Sequence, residues 1–192
     1  MIDVGQQKRI YVNWKLFSLK IINKDRKNKE DFKILHEIGL KALRVAAAVR
    51  RDYGNDGVGK LYTAMGALYH HDEEDIDGAE ALEQILQVCN LPVQFIAAVD
   101  DPSWDKDIQA DMDQAIDKAG DDVGVPLIVL DGGKGPGFFG PVMSPAPIGK
   151  DAVVFWDAVI AAGRTTGFFE LKRTRETGPV FGNRPAVDKG ND

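Results

Sequence analysis

Apolar and polar positions alternate from Ile10 to Leu19. Ile10, Val12, Trp14, Leu16 and Ser18 lie on one face, with Tyr11, Asn13, Lys15, Phe17 and Leu19 on the other. A period of two with branched and aromatic residues predicts a strand, buried on both faces near its end. After a polar loop, Ile21 to Glu30, the period lengthens. Leu35, Ile38, Ala42, Val45 and Val49 recur at helical spacing and predict a helix starting near Asp31, ended by the Gly54–Gly59 cluster.

From Val58 to Gly120 the pattern is helical throughout. It has three apolar stripes: Leu61, Met65 and Leu68; Leu82, Ile85, Leu86 and Cys89; and Trp104, Ile108, Met112 and Ile116. Pro92 and Pro102 fit the first turns of new helices, the second with Asp101 as N-cap. Beyond Gly120 the apolar run Pro126 to Leu130, the turn Asp131 to Gly137 and then Phe138-Phe139-Gly140-Pro141 predict a β-hairpin. A last helix is expected from about Lys150 to Ala162, burying Val153, Val154, Phe155 and Ile160 around Trp156. The tail from Arg173 to Asp192 mixes charge, Gly and Pro without a core pattern and reads as flexible.

Composition narrows the class. The chain has 192 residues, 44% hydrophobic and 28% charged, with a formal net charge of −6. That length and composition suit a soluble domain with a sizeable core, without disulfide or metal staples. Its one cysteine excludes an internal disulfide, a Cys-x-x-Cys pair and a Cys-rich zinc site within these residues. No apolar signal segment opens the chain, and no apolar run is long enough to span a bilayer, so a cytoplasmic protein with no membrane partner is expected. Charge is unevenly distributed: residues 1–51 carry +8 and residues 52–192 carry −14. Between Asp72 and Asp122, 16 carboxylates face only Lys106 and Lys118. Such a segment repels a phosphate backbone, and the basic stretch has no nucleic-acid motif, so no nucleic-acid partner is expected.

Candidate chemistry is sparse. His70-His71-Asp72-Glu73-Glu74-Asp75 has metal-ligand residue types, but adjacent histidines point about 100° apart on a helix and no second ligand group accompanies them. The expectation is a solvated helix end and no metal. Gly132-Gly133-Lys134-Gly135-Pro136-Gly137 lacks the Lys-Ser/Thr and the following helix of a phosphate cradle, and turn chemistry accounts for its glycines. Cys89, on the Leu82 stripe, is expected to be a core thiol of raised pKa. No nucleophile elbow, His-Glu-x-x-His helix or EF-hand loop occurs.

The second half resembles a known family. Val123-Gly124-Val125-Pro126, ahead of a short apolar strand and a glycine hairpin, resembles the cis-proline loop of thioredoxin-fold proteins, specifically the DsbA-like thiol–disulfide oxidoreductases. The helices before that proline are similar to the family's helical insertion. Phe138-Phe139-Gly140-Pro141-Val142, Phe155-Trp156-Asp157-Ala158 and Phe168-Phe169-Glu170-Leu171-Lys172-Arg173 resemble the actinobacterial branch that includes mycothiol-dependent nitroreductases. Leu61 to Gly66 and Trp14-Lys15-x-Phe17-Ser18-Leu19 resemble the same branch. The resemblance covers roughly residues 10–175.

It implies an α/β thioredoxin-like domain over residues 1–172 with a helical insertion at about 31–120, and a substrate-binding surface at Val125, Pro126 and nearby Phe139. A cis X–Pro bond would turn the preceding backbone outward, where an extended peptide or a thiol can pair with it; a trans proline opening a strand is the alternative from spacing alone. The family's reactive cysteine lies at the start of its first helix. No such segment precedes Tyr11, so the first strand and active-site helix are expected to be missing, leaving exposed edges and apolar faces. The expectation is therefore a thiol–disulfide oxidoreductase domain, incomplete at its N-terminus and inactive as it stands, with no bound cofactor. Mycothiol or a similar low-molecular-weight thiol would be the cosubstrate of the complete form, and its partner a thiol or disulfide substrate, small molecule or extended peptide. The alternative is a non-catalytic peptide or small-ligand binding module of the same fold. A thiol-independent isomerase is a weaker third.

Overall fold

The computed structural model describes residues 2–25 and 30–187. The element order is α1 (Ile2–Lys8), α2 (Leu19–Ile22), α3 (Glu30–His70), α4 (Gly78–Val88), α5 (Asp105–Ala119), β1 (Leu127–Val129), β2 (Gly137–Phe139) and α6 (Gly149–Arg164). Short 3-10 turns at Val93–Ala98 and Pro102–Trp104 precede α5. The chain divides into two compact units: Met1–Asn13 with Ala115–Asn183, and Trp14–Gln114 with Arg184–Asp192.

The unit built on Trp14–Gln114 holds most of the core. Leu82, Ile85 and Leu86 of α4 are fully buried, as are Val45, Val49 and Leu61 of α3 and Ile108 and Met112 of α5. The spacing i, i+3, i+4 puts each set on one helix face. The predicted start of the α3 stripe is corrected: Leu35 is exposed and burial begins at Leu40, while Ala42, Val45 and Val49 are inside. The predicted end is refined. At Gly54, φ 64° and ψ −156° break α3 into two helical segments, a conformation essentially confined to glycine. Helix α4 ends with Asn90 at positive φ and the Leu91 N–H donating to the Leu86 carbonyl, the hydrogen bond of a Schellman ending. Asp101 caps the Pro102 turn as expected, its side chain accepting from the Ser103 N–H.

The strand expected at residues 10–19 is corrected. The segment is extended but belongs to no ladder, and Leu19–Ile22 turns into a short helix with Ser18 as its N-cap. Alternate backbone N–H groups donate to side chains instead: Trp14 to Asn55 Oδ1 at 2.7 Å, Leu16 to Asp111 Oδ2 at 2.9 Å and Ser18 to the Met112 sulfur at 3.5 Å. These acceptors occupy the positions a neighbouring strand would supply, so the donors are satisfied without a sheet. The burial alternation survives, with Leu16 and Ser18 inside and Tyr11 outside.

In the other unit α1 packs on α6. Ile148, the N-cap of α6, has no capping side chain, and Asp3 of α1 serves instead, its carboxylate accepting from the Gly149 N–H at 2.7 Å. The predicted hairpin is present: Leu127 faces Phe139, Ile128 faces Phe138 and Val129 faces Gly137 in an antiparallel pair. Gly163 of α6 makes room for the hairpin, since a Cβ there would lie 2.5 Å from the Phe138 ring. The last helix does not bury the side chains expected of it. Val154 is 69% and Phe155 40% exposed, and Ala152 is the buried residue of α6. Ile148, Phe169 and Leu171 are exposed as well.

Residues 165–187 form no helix or strand. They are nevertheless bonded: Ser144 Oγ donates to the Gly178 carbonyl and accepts from the Val180 N–H, and Arg184 clasps the Asp72 carboxylate with Nε and Nη2. The remainder of the predicted tail, residues 188–192, lies outside the described residues.

Candidate functional site

Three candidate residues converge at the open end of the hairpin. Pro126 immediately precedes β1, the Val125–Pro126 peptide bond is cis, and Phe139 closes β2 directly opposite Leu127. The Gly140 N–H donates to the Pro126 carbonyl at 2.8 Å, which extends the pairing one step beyond the ladder and fixes Phe139 beside the loop. Gly124 lies against the same ring, its Cβ position 3.5 Å from Phe139 Cε2. Val125 is 41% and Phe139 44% exposed. Among the described residues, neither the N–H nor the C=O of Val125 has a hydrogen-bond partner. The arrangement is a bend in the backbone, leading into β1, with free polar groups next to an exposed aromatic ring. Chemically, it can accept a third strand or a ligand with amide-like groups, while the ring covers an apolar part.

Sequence reasoning passed over Gly124 and Gly140. The signal was glycine on both sides of the strand pair: Gly140 has φ 92°, where a side chain is strained, and Gly124 meets the ring edge.

Cys89 is not part of this surface. It is 1% exposed among α3 and α4 residues, and its thiol points to the Lys60 carbonyl at 3.6 Å. Burial pushes its pKa up to about 11, partly offset by the Lys60 charge. Such a thiol is almost wholly protonated at neutral pH and is a poor nucleophile.

The other candidates disperse. His70 ends α3, and its pKa is lowered, first by burial and then by the neighbouring His71 charge. Asp72 is occupied by Arg184, which holds its carboxyl below the usual range. Among the described residues no group of three or more His, Cys, Asp or Glu could hold a metal ion. The glycine-rich turn opens β2 rather than a helix. Its Asp131 carboxylate is bound by both Arg164 Nη atoms, at 2.7 and 3.0 Å, so a carboxylate already takes the nearby guanidinium. Among the described residues no helix is long and apolar enough to cross a membrane.

Comparison with known proteins places the chain in a family. An uncharacterized protein of Mycobacterium tuberculosis (strain ATCC 25618 / H37Rv), Rv2286c, is 30% identical over 179 residues, spanning 93% of this chain and 75% of that protein. The family typified by the mycothiol-dependent nitroreductase Rv2466c matches residues 1–173. A cis-proline loop, a two-strand hairpin and a preceding run of helices are thus found in a chain that belongs to the Rv2466c-like mycothiol-dependent nitroreductase family.

Proposed function

We propose that Val125, Pro126 and Phe139 form the thiol-substrate face of a mycothiol-dependent, DsbA-like oxidoreductase domain of thioredoxin-like fold. The observation that carries this reading is the unpaired backbone of Val125 beside the exposed Phe139 ring. Mycothiol or its disulfide would lie along the loop, its amide groups paired with Val125 and an apolar portion against Phe139. The fit is one of binding. Within these 192 residues no accessible thiolate is available for exchange, because the one cysteine is buried with its pKa near 11. The chain therefore holds the substrate without itself forming a mixed disulfide.

A second reading follows from that same buried thiol: the domain binds an extended peptide at the loop and performs no redox step. The two are separated by titrating the 15N-labelled protein with mycothiol disulfide and, in parallel, with an extended peptide lacking cysteine. Saturable amide shifts at Val125, Leu127 and Phe139 with the disulfide, weakened roughly tenfold by Phe139→Ala, are the expected result. Shifts with the peptide alone support the second reading. No saturable shift at this loop with either probe would overturn both. Disulfide turnover that survives Cys89→Ala would overturn the binding-only role.

A further inference from the structure

The unit built on Trp14–Gln114 contains a cleft of ≈ 390 Å³, between α3 and the turn that leads into α5. Its walls carry Arg50 and Arg51 from α3, and Ser103, Trp104 and Lys106 from the other side, over the small side chain of Ala47. The volume is within the range of small-molecule sites. Three cations face the space with one carboxylate, Asp107. This is unexpected from the sequence around Lys106, where 16 carboxylates between Asp72 and Asp122 are accompanied by two lysines. One of those two is at the cleft.

Two of the three cations are held in place. Arg50 is tied to the buried Asp111. Arg51 lies over the Trp104 ring, 5.0 Å from guanidinium carbon to ring centroid, with Nε and Nη2 on Asp52 and Nη1 left over. Stacking and a carboxylate together restrict a side chain that would otherwise lose much rotamer freedom on binding. Lys106 is in no ion pair or hydrogen bond among the described residues, although its charge acts on the Asp101 carboxylate, which accepts the Ser103 N–H; the Ser103 hydroxyl has no partner among them. The groups on offer are therefore mainly donors: guanidinium N–H, an ammonium and a hydroxyl. A ligand that satisfies them must be rich in acceptor oxygens, and the Trp104 ring supplies an apolar wall for its carbon frame.

We infer that this cleft binds a small molecule bearing a carboxylate or phosphate group. The oxyanion sits between Lys106, Ser103 and the free edge of Arg51, and the carbon frame lies beside Trp104. The site shares no residue with the Val125 loop.

The test follows the indole N–H signal of Trp104, assigned by its loss in Trp104→Phe, together with the Ser103 amide. The protein is titrated separately with inorganic phosphate and with citrate, and with chloride at matched ionic strength. A saturable shift of both signals with phosphate or citrate, weakened about fivefold or more by Lys106→Gln and by Arg51→Gln, is the expected result, and the effective probe identifies the oxyanion. Lys106→Gln leaves Asp101 its Ser103 N–H and the Arg44 charge, so it reports binding rather than folding. Shifts that merely follow chloride, no shift, or equal affinity in both variants would overturn the inference.

Discussion

Asp111 of α5 accepts the backbone N–H of Leu16 at 2.9 Å, although the two residues lie 95 positions apart in the chain. The same carboxylate, 5% exposed, also binds Lys15 and Arg50. One side chain thus anchors an extended segment to two helices. Replacing it with alanine would leave the Leu16 donor and the Arg50 charge without their acceptor. Lys15 and Arg50 retain some access to water, which softens the loss. Asp111→Ala is expected to cost about 2–3 kcal/mol, and Asp111→Asn, which keeps an acceptor, about 1–2. Urea denaturation of the purified protein measures both. Unchanged midpoints would mean that the segment is held by other contacts.

Two helical glycines should respond in opposite directions to alanine. At Gly66 of α3 a Cβ meets nothing within 4 Å, so Gly66→Ala should stabilise by about 0.5–1 kcal/mol through the unfolded state. At Gly163 of α6 the Cβ would lie 2.5 Å from the Phe138 ring. Overpacking of about 1–3 kcal/mol outweighs a helix-propensity gain of about 1, so Gly163→Ala should be net destabilising and should shift the hairpin amides. Thermal melts and amide spectra of the two variants check the contrast.

Cys89 should react slowly with a thiol-reactive chromophore while the protein is folded. With a pKa of about 11, roughly one thiol in a thousand is ionised at pH 8, and access is closed as well. Denaturation should release one equivalent of rapidly reacting thiol. Fast labelling of the native protein would contradict the buried placement.

Arg164 holds the Asp131 carboxyl below its ordinary value of 3.8, chiefly by hydrogen bonding. A carboxyl whose folded value is depressed contributes stability that is complete above the unfolded value and is lost as pH falls through the lower, folded one. The turn between β1 and β2 should therefore hold its geometry down to pH 3.8 and loosen below it. The Asp131 carboxyl carbon, followed by NMR, should titrate below the ordinary value in the native protein and close to it in Arg164→Gln.

Local patterns carried the helices and the hairpin, because their information is contained in neighbouring residues: the Leu82–Ile85–Leu86 face, the Asp101–Pro102 cap and the glycine turn after Leu130. The alternation of residues 10–19 foretold which side chains face inward. It could not foretell the absence of a ladder, since the acceptors Asn55, Asp111 and Met112 come from distant helices. For α6, apolar content alone suggested burial, whereas burial depends on what packs against a face, and Val154 and Phe155 have water beside them. The loop at Val125 and Pro126 was legible only through family resemblance. The Arg51–Trp104 stack was not legible at all, because the two residues lie on different elements.

The break at Gly54 resets the helical phase of α3. Residues before and after it do not share one continuous 3.6-residue register, so the face that buries Val45 and Val49 need not continue along the segment that buries Leu61 and Ala64. With any other residue at position 54 the backbone would favour an uninterrupted rod, whose single stripe could serve only one set of neighbours. One glycine therefore lets a 41-residue helix behave as two independently oriented pieces, each with its own apolar side.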